Sequence, residues 1–162
     1  MGKKPRIRRL RPDQETVFPM LNTSDYEVTS DATRRYNCVA YAADDYTRKW
    51  GCSSFLLPGY YWPPGAIVGV GIDAITSAFG MVGYTVCEDR KPEPEFEKIA
   101  IYTDNHGQWT HAAKLRDDGH WSSKLGDWED IRHATLESLE HSDYGRAVRY
   151  MKRPREKSIA PA

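Results

Sequence analysis

No charge of one sign dominates this sequence. Lys plus Arg and Asp plus Glu each number 23, so no overall field selects nucleic acid or an anionic membrane, and partner choice falls to a local site. Apolar runs long enough to span a bilayer are absent. The basic run Lys3-Lys4-Pro5-Arg6-Ile7-Arg8-Arg9 has no apolar segment behind it, which argues against a secretion signal. Cysteine is scarce. Cys38, Cys52 and Cys87 make no even framework and lack the close pairing of a zinc knuckle or redox motif. Reduced thiols and a cytoplasmic location are therefore expected, and export by a specialised system stays compatible with both. Repeats and low-complexity tracts are lacking as well. No cofactor is expected and no metal, because the spacings of Cys38, Cys52, Cys87 and His111 match no common site.

What is present fits one domain, long enough to bury a core without disulfide or metal staples. Residues 1–12 and 153–162 are basic and contain proline, with few large apolar groups, so both read as tails around a domain at 13–152. The basic arm is expected to be a solvated terminus rather than a contact to nucleic acid. Asn37 is a helix N-cap candidate ahead of the alanine-rich Cys38-Val39-Ala40-Tyr41-Ala42-Ala43, and spacings of three and four predict a second helix over 67–79. From residue 84 onward the pattern turns to strands at 84–87, 98–102, 109–115, 121–125 and 144–151, with a short helix at 135–140. Helices followed by an antiparallel sheet describe an α+β domain.

A cysteine in the first turn of a helix meets unpaired backbone amides and the helix dipole, which favour thiolate. A histidine on a neighbouring strand can hold its proton. His111 is the best placed, because alternation puts Trp109, His111, Ala113 and Leu115 on one face. The other histidines, His106, His120, His133 and His141, flank turns or the late helix and are expected to be exposed.

Asn37-Cys38-Val39-Ala40-Tyr41-Ala42 resembles the cysteine-helix motif of papain-like cysteine peptidases and amidases. Glu97 to Tyr102 with Thr110-His111-Ala112 looks like the strand pair of their cell-wall-hydrolase branch. Ser123-Lys124-Leu125-Gly126 and Asp130-Ile131-Arg132-His133 resemble the blocks that follow in a bacterial branch of that superfamily. The resemblance implies a papain-like α+β fold, an N-terminal cysteine helix packed on an antiparallel sheet. It also implies a cysteine-dependent hydrolase, whether peptidase, amidase or deamidase, acting by acyl transfer on a protein or peptide substrate. Cys38 would be the nucleophile, His111 the base and the Asn37 side chain an oxyanion donor. On the cell-wall alignment Lys98 takes the base position instead. That leaves a catalytically inactive domain that binds a protein or peptide through an aromatic groove.

The wall of that groove is expected from Tyr61, Trp62 and Trp109, with the prolines after Trp62 holding it rigid. The orienting partner of His111 depends on the hairpin that follows. A three-residue loop at Asp117-Asp118-Gly119, with Gly119 left-handed, places Arg116 opposite His120 and makes Ser123 and Asp127 the near neighbours of His111. The resemblance to papain favours Ser123; charge chemistry favours Asp127.

Overall fold

The computed structural model describes residues 7–156. Its strands are β1 (Tyr26–Ser30), β2 (Thr85–Cys87), β3 (Phe96–Thr103), β4 (Trp109–Leu115), β5 (Trp121–Lys124), β6 (Asp130–His133) and β7 (Arg146–Pro154). All seven lie in one antiparallel sheet in the order β1-β6-β5-β4-β3-β7-β2. Helices are short: α1 (Pro12–Val17), α2 (Cys38–Ala42), α3 (Ile72–Gly80) and 3-10 turns at Leu21–Thr23 and Leu136–Leu139. Among the described residues no helix is long and apolar enough to cross a membrane.

This architecture overturns the papain-like expectation. The sheet dominates, β1 precedes the cysteine helix instead of following it, and α2 lasts five residues. The helix stops early because Asp44 takes a left-handed conformation (φ 63°). Its carboxylate is held there by Lys114 and Arg153.

Both faces of the sheet are covered. Ile99, Ile101, Ala112 and Met151 point to one side and pack under α2, α3 and Trp62. Ala100, Tyr102, Ala113, Trp121 and Ile131 point to the other and pack under Leu10, Phe18, Leu21, Leu136 and Leu139. Burial on both faces explains why Ile99-Ala100-Ile101-Tyr102 reads as a continuous apolar run. Each fully buried isoleucine contributes ~1.5–3 kcal/mol. The N-terminal arm is part of this packing, since Leu10 is buried and the Arg8 carbonyl accepts the Val28 amide along β1. Ordered structure thus starts ahead of residue 13, and β7 carries it to Pro154. The rest of the two expected tails, residues 1–6 and 157–162, lies outside the described residues.

Candidate functional site

Antiparallel partners share a face, so the ladders state which side chains can meet. Tyr102 pairs with His111, whereas the next residue of β3, Thr103, pairs with Trp109. Thr110 is therefore the extra residue of a β-bulge. Trp109 turns to the helix side and stacks on Trp62, with ring centroids 5.6 Å apart. His111 turns to the other side, against Tyr102 and Tyr144. Cys38, at the start of α2, packs on the helix side, and its Sγ reaches the Thr110 carbonyl at 4.0 Å. The sheet stands between Cys38 and His111. The expected dyad is therefore not assembled; the bulge turns only Trp109, and the pairing of His111 with Tyr102 sets the face of the imidazole.

The remaining expected roles shift with it. Asn37 caps α2 through Oδ1, which accepts the amides of Ala40 (3.2 Å) and Trp50 (3.1 Å), and its Nδ2 donates to the Trp50 carbonyl at 2.7 Å. One of its two Nδ2 hydrogens and its Oδ1 are thus used in holding α2 to Trp50. Trp62 is buried. Tyr61 is edge-on to Trp50 and covered by the Arg48 guanidinium, 3.4 Å from its ring centre. The groove expected from Tyr61, Trp62 and Trp109 is thus filled by its own walls. Asp127 sits on the surface, bonded to Lys49 at 2.8 Å, and does not reach His111.

The structure does join His111 to Ser123. The hairpin is the one the sequence describes: the Arg116 amide donates to the His120 carbonyl, and Gly119 is left-handed (φ 85°). Ser123 Oγ lies 2.9 Å from His111 Nε2 and 2.8 Å from His133 Nε2, and His133 Nδ1 is 2.8 Å from the Thr135 carbonyl. A carbonyl only accepts, so His133 Nδ1 donates. In neutral His133 the Nε2 then accepts the Ser123 proton, and His111 Nε2 must donate to Ser123. That leaves the lone pair of His111 Nδ1 buried and unpartnered. Burial lowers both histidines, His111 well below its ordinary value and His133 to about 4. His133, expected at the surface, was detectable from the alternation of Asp130, Ile131, Arg132 and His133.

Cys38 has the environment of a core thiol. Burial pushes it up to about 11, against a smaller opposing pull from backbone donors and the Lys124 ammonium. Lys124 itself is buried, donating to the carbonyls of Gly126 (2.7 Å) and Trp128, and its own burial lowers it. With iodoacetamide near neutral pH, the half-buried Cys87 should therefore label first. Cys38 should be slower on the order of a hundredfold, as read by peptide mass spectrometry. Rapid Cys38 labelling that His111→Ala slows would restore the dyad.

The outward side of the covering loop differs from the rest of the surface. Among the described residues twelve large apolar side chains are exposed, and seven lie between residues 55 and 81, with Phe55 and Leu56 at 61% and 62%. From Trp50 to Cys87 the only charged residue is Asp73, although 28% of the chain is charged. This gap in charge is legible in the sequence. The loop is pinned from beneath: the indole N–H groups of Trp62 and Trp109 donate to the carbonyls of Ile67 (2.9 Å) and Gly69 (3.0 Å), and Cys52 Sγ donates to Gly69 at 3.3 Å.

A family model described as Domain of unknown function (DUF7689) matches residues 27–152, a span that includes the histidine chain and the apolar loop. Searches of the curated proteins and of the solved structures return no match.

Proposed function

We propose that this chain, which belongs to the DUF7689 family, is a binding domain for a protein or peptide and not a hydrolase. The observation that carries the reading is the rigid, charge-free apolar face of residues 53–70. Contiguous exposed apolar surface on a soluble domain marks an interaction site more often than an accident of packing. Interface centres are likewise depleted in charge and enriched in aromatic side chains. Phe55, Leu56, Tyr60 and Ile67 are the anchors of this reading. The acyl-transfer alternative asks for a base within hydrogen-bond reach of Cys38, whereas the side-chain bond of His111 runs to Ser123. A cytoplasmic setting belongs to the same proposal, because three free cysteines at positions 38, 52 and 87 suit a reducing compartment.

Selection from a library of random peptides tests it. The parent should enrich apolar, aromatic sequences. A Phe55→Asp, Leu56→Asp double variant should bind them at least about tenfold more weakly, and Cys38→Ser should bind as the parent does. No enrichment, or equal binding by the double variant, would overturn the reading.

A further inference from the structure

On the opposite side of the sheet from that loop, a pocket of about 330 Å3 opens between three segments far apart in sequence. Phe18, which follows α1, Trp128 in the turn after β5 and Tyr144 ahead of β7 line it, with Leu125 among them. Phe18 is edge-on to Trp128, with centroids 6.4 Å apart, and lies 5.4 Å from Tyr144. Its carboxylates are Asp127 and Asp143, and no lysine or arginine lines it. Asp127 is already paired with Lys49 and Arg34. Asp143 has no ion-pair partner among the described residues, and this leaves an uncompensated negative charge beside three aromatic rings.

Aromatic faces carry negative potential and attract cations held within about 6 Å of the ring centre, most strongly when the cation is weakly hydrated. A methylated ammonium meets that condition, since its methyl groups also suit the apolar lining. We propose that this pocket binds a small quaternary ammonium compound of choline size, held by Phe18, Trp128 and Tyr144 with Asp143 as counter-charge. The volume sits at the lower end of small-molecule pockets, which favours a free compound over a longer ligand. His111 lies flat against Tyr144, centroids 4.1 Å apart. Its neutral state keeps a second positive charge from behind that ring. The site is independent of the loop face and of the reading built on it.

Titration calorimetry with choline chloride tests the assignment, with 3,3-dimethylbutan-1-ol as the uncharged control of the same shape. Choline should give a saturable response and the alcohol should bind about tenfold more weakly. Trp128→Leu should abolish the response and Asp143→Asn weaken it several-fold. Asp143 is exposed, so its variant keeps the test readable even if Trp128→Leu does not fold. Equal binding of choline and the alcohol would show an apolar pocket only. That result, no saturable choline response, or binding confined to a trimethyl-lysine peptide would each overturn the proposal.

Discussion

Gly145→Ala should destabilise the fold by at least ~3 kcal/mol, through overpacking against groups unable to move aside. Gly145 has φ 76°, and a Cβ built on it would lie 1.9 Å from the Thr103 carbonyl oxygen, 2.7 Å from its carbon and 2.9 Å from the Asp104 Cα. All three are backbone atoms at the end of β3, where Thr103 pairs with Arg146. For a domain of this size the loss corresponds to a fall in melting temperature on the order of 10 °C. Gly126→Ala provides the comparison. Its φ of 61° is also left-handed, but nothing lies within 4 Å of the added Cβ, so only the conformational cost of ~1–2 kcal/mol applies. Scanning calorimetry on the two variants decides the matter. Equal losses would mean that β3 and the 145 turn separate easily.

Acid should unfold the protein over a window set by the buried histidines. His111 and His133 have folded values below their ordinary one of 6.5, so the unfolded chain binds more protons than the native one. Their contribution is complete above pH 6.5 and is lost as pH falls, at ~1.4 kcal/mol per unit for each histidine. For His133 the loss continues down to about pH 4. By pH 5 the two together should have removed roughly 4 kcal/mol. Urea midpoints at pH 7, 6 and 5 measure this before most carboxylates titrate. His133→Gln should flatten the slope by about half. A midpoint that stays constant from pH 7 to 5 would mean that the histidines are not held neutral in the core.

Local chemistry was legible in this sequence and long-range pairing was not. The hairpin from Leu115 to Trp121 follows from loop parity and one glycine that tolerates a left-handed turn. Asn37 follows from its capping side chain. These interactions close within a few residues. The strands β1 and β6 were missed as a pair because Tyr26 meets His133 across most of the chain, and nothing near either residue announces it. The separation of Trp109 from His111 depended on a bulge. Alternation read along β4 alone puts Trp109 and His111 together, and only the register against Tyr102 and Thr103 separates them. The bond from His111 to Ser123 could be found from the sequence because both lie on the His111 side of one hairpin. The link onward to His133 needed β6, and so escaped.

The unpaired Thr110 lets one strand serve two layers. Trp109 pins the covering loop on one side of the sheet and, two residues on, His111 is locked into the core on the other, so the loop and the buried histidine hang from the same three residues of backbone.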